Sequence, residues 1–170
     1  MARRQFFLAL AAMIGASTIT GAQILNRDTS FPVLNEMRWE MSLNEARSLC
    51  ESHHVLENST DSTINFGVNY FGFSARTEIV FDRSSMTMAR IQVKFNDAAK
   101  AIEDSLVNHF TLTTGSAPYR QVKEKSLLIM TIRMEIAAWK LPTEIVNLIT
   151  AKRNDTLFEL HLGILPRGKL

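Results

Sequence analysis

Four histidines and one cysteine are the residues of this chain best suited to catalysis or metal binding. His53 and His54 are adjacent and point in different directions, whereas a metal site needs converging ligands, often two at i and i+4 on one helix face. Both sit where a helix is expected to end, and a histidine there interacts favourably with the helix dipole. His109 falls on the apolar stripe of a second expected helix, the position of a core histidine whose ring nitrogens are satisfied. His161 alternates outward with Glu159 on a strand, and a histidine–carboxylate pair on one strand face can move protons. Residues two apart on a strand are near neighbours in any case, so spacing alone does not separate an acid–base pair from an incidental one. Cys50 shares an apolar stripe with Leu43, Ala46 and Leu49 and reads as a small core residue, and without a second cysteine there is no intramolecular disulfide. The chain has no Gly-x-Ser-x-Gly turn and no glycine-rich phosphate loop. The sequence therefore assigns no catalytic residue, no metal ligand and no cofactor.

The elements that position these residues follow from periodicity. Ser42 and Glu45 form a capping box that opens a helix running to about His53. Three strands follow, around Ile64–Tyr70, Arg76–Asp82 and Met88–Phe95, joined by turns rich in Gly, Asp and Ser. Asn96 caps a second helix, with Ala98, Ile102, Leu106, His109 and Phe110 on its inner stripe and Glu103 outside it. Residues 113–118 end that helix and open a loop. A long strand then runs from Met130 to Trp139. Strict alternation places Met130, Ile132, Met134, Ile136 and Ala138 on its buried side, and Thr131, Arg133, Glu135, Ala137 and Trp139 on its wetter side. Two further strands cover residues 145–151 and 157–164.

The order helix, three strands, helix, three strands predicts an α+β domain. Its mostly antiparallel sheet would have about six strands with two helices on one face. The 170 residues suit one such domain, over 39–166. Residues 23–38 read as an extended lead-in, since Pro32 disfavours an internal helix. Residues 167–170 read as a short tail.

Residues 1–22 read as an export signal. Arg3 and Arg4 precede an apolar run from Phe6 to Ile14 that is too short to span a bilayer, and Thr20-Gly21-Ala22 supplies a small-residue cleavage site before Gln23. The arginine pair followed by Phe6-Phe7 fits the general secretory route and the twin-arginine route alike. The whole chain has 19 Lys+Arg against 17 Asp+Glu; removing the two signal arginines leaves 17 against 17. A neutral mature domain lacks the basic excess of a phosphate-backbone binder, so no nucleic-acid partner is expected. No stable membrane anchor is expected after cleavage.

The segment Trp39-Glu40-Met41-Ser42-Leu43-Asn44-Glu45-Ala46 resembles the start of the first helix in small exported bacterial domains of the SmpA/OmlA and beta-lactamase-inhibitor-protein-like group. Glu40 stands where that group usually has glycine, and its lipoprotein cysteine is absent here. The resemblance implies a protein-binding role in the cell envelope and carries over no functional residue.

The sheet face opposite the helices is the expected site. On the alternation above it gathers Arg76, Glu78, Arg90, Gln92, Lys94, Arg133, Glu135, Trp139, Glu159 and His161. Mixed charge around an aromatic suits a protein-binding surface, with Trp139 either its anchor or a core residue at the strand end. The expectation is thus an exported, periplasmic or secreted, non-catalytic module that binds a protein partner. The alternatives are a small hydrolase or lyase using His161 and Glu159, and a carrier holding an apolar ligand between sheet and helices.

Overall fold

Short turns build most of the sheet. The structure, a computed structural model, describes residues 24–28, 30–127 and 130–168. The expected export signal lies outside the described residues, as does the end of the tail. Strands β1 (Thr63–Tyr70) and β2 (Phe73–Phe81) are joined through Phe71 and Gly72 alone. Their φ angles of 54° and 81° give the doubly left-handed turn that matches strand twist. The loop into β3 (Met88–Phe95) winds around Asp82, whose carboxylate accepts the Ser84 and Ser85 amides at 2.9 Å each. Those bonds and the Ser84 and Ser85 hydroxyls hold its pKa well below the usual carboxylate range.

Three helices precede or interrupt the strands: α1 (Pro32–Glu36), α2 (Leu43–His53) and α3 (Lys100–Thr114). The capping box of α2 is present, with the Ser42 amide donating to Glu45 Oε2 at 2.9 Å. Gly115, at φ 65°, ends α3 in the left-handed conformation that glycine adopts without strain. From there β4 (Tyr119–Leu127), β5 (Met130–Lys140), β6 (Glu144–Arg153) and β7 (Thr156–Pro166) meander back until β7 pairs with β3. The spatial order is β1-β2-β3-β7-β6-β5-β4, and every neighbouring pair is antiparallel.

The α+β class and the antiparallel sheet agree with the sequence reading, but the sheet has seven strands rather than six. The additional strand is β4. Its core, Arg120-Gln121-Val122-Lys123-Glu124-Lys125, is polar on both faces, so it carries no alternation to find. Asn96 does not cap α3. Its side chain donates to Ser74 Oγ at 2.9 Å, and the helix begins at Lys100 with no side-chain cap. Glu103, expected outside, is buried and lies 3.4 Å from Lys100 Nζ.

The larger correction concerns the lead-in. The lead-in is not extended: Ile24–Arg27 form a 3-10 turn and Pro32–Glu36 form α1, both in the helix layer. Pro32 stands at the start of α1, where its missing N–H is not needed and its fixed φ suits the helix. Ile24, Leu25, Phe31, Val33, Leu34 and Met37 are all buried. Two polar contacts hold the segment. The Leu25 amide donates to the fully buried Glu144 carboxylate at 2.8 Å, and Asp28 Oδ2 meets His109 Nε2 on α3 at 2.5 Å. Phe31 seals the joint, its ring centroid 4.6 Å from that of Tyr70 and 5.9 Å from that of Phe110.

The Asp28 side chain is only 7% exposed, so removing its partner strands a carboxylate inside the helix layer. His109→Ala should lower the unfolding free energy by about 3 kcal/mol, measured by urea denaturation. The amides of residues 24–37 should lose hydrogen-exchange protection before those of the sheet. A midpoint unchanged from wild type would show that the pair does not hold the lead-in.

Candidate functional site

Register across the sheet fixes which side chains share a face. One row runs Ile64, Ile79, Ile91, Ile164, Val146, Trp139 across β1, β2, β3, β7, β6 and β5, and each is buried. This is the helix side. The next row runs Asn65, Glu78, Gln92, Gly163, Asn147, Ala138, Tyr119, on the opposite side. Among the described residues, the helices lie only on the first of these two faces.

Trp139 is therefore not an anchor on the open face. It is 2% exposed, with its ring centroid 5.5 Å from that of Phe110 on α3 and its indole N–H donating to Thr111 Oγ1 at 3.4 Å. Arg133 and Glu135 share its face and also leave the expected surface. Glu135 is held by Arg133 Nε at 2.9 Å and Lys152 Nζ at 3.3 Å. The alternation of β5 was read correctly, but its two faces were exchanged. The space under α3 takes small Ala137 and large Trp139. The branched and flexible chains of Ile132, Met134, Ile136 and Ala138 turn outward instead.

The remaining expected residues, Arg76, Glu78, Arg90, Glu159 and His161, do lie on the open face, with Gln92 and Lys94. Gln92 Nε2 pairs with His161 Nδ1 at 3.1 Å, and His161 Nε2 meets Glu159 Oε1 at 2.8 Å. Lys94 Nζ lies 3.2 Å from that same oxygen. The hydrogen bond from His161, then that from Lys94, lowers the Glu159 pKa. Both imidazole nitrogens are thus occupied, and the carboxylate is held in its ionised form. Such a cluster fixes the geometry of the imidazole and the carboxylate.

Beside this polar half lies an apolar one that sequence reasoning missed. Ile132, Met134, Ile136 and Ala138 of β5 sit next to Ile145, Ile149 and Ala151 of β6 and Leu165 of β7. Ile136 pairs with Ile149 and Met134 with Ala151, which is itself buried, while Asn147 opposite Ala138 separates them from Ile145 and Leu165. Met134 is 41% exposed at its centre. On one side the strip is bordered by Gln121 and Lys123 of β4, on the other by His161 and Glu159. The signal available in the sequence was β6, which is apolar on both faces over residues 145–151. With helices on one face only, such a strand must expose the other.

Cys50 and Tyr70 are shut away. Burial pushes the Cys50 thiol up to about 12, and burial likewise raises the Tyr70 phenol. No group of three or more His, Cys, Asp or Glu able to hold a metal occurs among the described residues. No described helix is long and apolar enough to cross a membrane. No family model, curated protein or solved structure matches the chain.

Trp139→Ala should cost about 3–5 kcal/mol of stability, as for a large aromatic cut from a packed core. Thermal melts check this: a variant that melts with wild type would return Trp139 to the surface.

Proposed function

We propose that this protein is an exported, non-catalytic module that binds a protein partner on the open face of its sheet. The observation that carries this reading is the apolar strip of β5 and β6, uncovered by any described element and rimmed by charge. Exposed apolar surface with a polar border is the composition of a docking face rather than of a solvated sheet. Met134 and Ile136 take the place of Trp139 as the central contacts. Gln92, Lys94, Glu159 and His161 form the rim on one side and Lys123 on the other.

The export half of the reading rests on Arg3-Arg4, the apolar run Phe6 to Ile14 and the small residues ending at Ala22. The resemblance of residues 39–46 to exported envelope domains points to the same compartment and to protein binding.

The test is the pair Met134→Glu and Ile136→Glu made together. Charges at the centre of the strip should weaken capture of the partner from the exported fraction by about 30-fold or more, the scale of a lost hot spot. Both side chains face outward, so the melting curve should stay close to that of wild type. Arg90→Glu, away from the strip, should change capture little. Capture that survives the double change, or that fails equally with Arg90→Glu, would remove the strip as the docking face.

A further inference from the structure

The two edges of the sheet are finished differently. The segment before β1 covers that edge. Leu56 bridges to Phe66, the Glu57 amide donates to the Asn65 carbonyl at 2.7 Å, and the Asn65 amide donates to Ser59 Oγ at 3.0 Å. At the other edge, β4 is paired only to β5 among the described residues. It keeps an unbroken register with β5 from Tyr119 to Leu127, with no bulge and no proline inside it. Tyr119 is 74% and Val122 49% exposed, and the charged residues between Arg120 and Lys125 are exposed as well. Edge strands are normally short, bulged, interrupted by proline, covered or charged, because an open edge is a template for another strand. This one is long, regular and uncovered among the described residues, and its charges of both signs admit a second strand only in a register that matches them.

We propose that β4 pairs antiparallel with β4 of a second copy of this chain, about a twofold axis through Val122. The occupant and the register are argued from charge. With the axis at Val122, Arg120 faces Glu124 of the second copy and Glu124 faces its Arg120. Gln121 then faces Lys123, and Tyr119 faces Lys125, a ring and an ammonium side by side. Both charged pairs lie on the helix side, where Arg120 pairs with Ala137 and Glu124 with Arg133 within one chain. An axis at Lys123 would set that lysine against itself, and an axis at Gln121 would leave Glu124 opposite Pro118. Of these axes, only the one at Val122 sets opposite charges against each other. The joined sheet keeps both helix layers on one side and both apolar strips on the other. The pairing rests on the edge strand and not on the apolar strip, so it stands or falls separately from the docking face.

Sedimentation equilibrium of the protein expressed from the full chain tests the pairing. Wild type should be a dimer. Arg120→Glu and Glu124→Arg should each weaken self-association about tenfold or more, since each change sets like charges opposite one another twice in a symmetric pair. Mixed in equal amounts, the two variants should associate as wild type does, because Glu at 120 of one chain then faces Arg at 124 of the other. Circular dichroism confirms that each variant is folded. Ile136→Glu should leave the dimer intact while affecting the docking face. A wild type that stays monomeric, single variants that dimerise normally, or a mixture that does not recover would each overturn the proposal. So would β4 amides that gain exchange protection only when a different protein is added.

Discussion

The structure depends on one shortage: helix is available for only one face of a sheet that carries apolar side chains on both faces over β5 and β6. Over β5, β6 and β7 the helix side needs Trp139, Val146, Leu148, Leu160, Leu162 and Ile164, while Ile132, Ile136, Ile145, Ile149 and Leu165 point the other way. Full burial of such a side chain is worth about 1.5–3 kcal/mol, so leaving a strip of them partly exposed forgoes a substantial part of what the fold could gain. The helix side is filled even by residues before α2, since Ile24, Leu25, Phe31, Val33, Leu34 and Met37 belong to the same core as the sheet's inner residues. Nothing described is left over for the second face.

That arrangement also explains where the reactive residues went. His109, Asp28, Glu144 and Cys50 are spent on the joint between the N-terminal segment, the helices and the sheet. A buried carboxylate tolerates its site only with donors at hand, and both acids here have them: the Leu25 amide and Thr143 hydroxyl for Glu144, the His109 ring and Ser30 amide for Asp28. The His161–Glu159 contact is likewise closed, by Gln92 on one ring nitrogen and Lys94 beside the carboxylate.

The antiparallel α+β class was legible because β1, β2, β3 and α2 each carry an unambiguous period and their turns carry Gly, Asp and Ser. β4 was not, since an edge strand with two polar faces has no period to detect. The lead-in was misread because five residues of α1 are too few to show a 3.6-residue repeat, and Pro32 was read as a breaker instead of a first residue. The faces of β5 were exchanged for a deeper reason. Periodicity separates the two sides of a strand but does not say which side meets a helix; here Trp139 is buried against Phe110 of α3. The expected surface inherited that exchange: Arg76, Glu78, Arg90, Glu159 and His161 lie on the open face, Arg133, Glu135 and Trp139 do not, and the apolar residues of β5 that do were expected in the core.

The central claim is that the uncovered strip of β5 and β6 is where a partner protein sits. A photo-crosslinking side chain placed at Ile136, and in a second sample at Asn69 on the polar half of the same face, tests it most directly in the native compartment. The account predicts a discrete protein adduct from position 136 and background from position 69. Adducts of equal yield at both positions, or at position 69 alone, would contradict it.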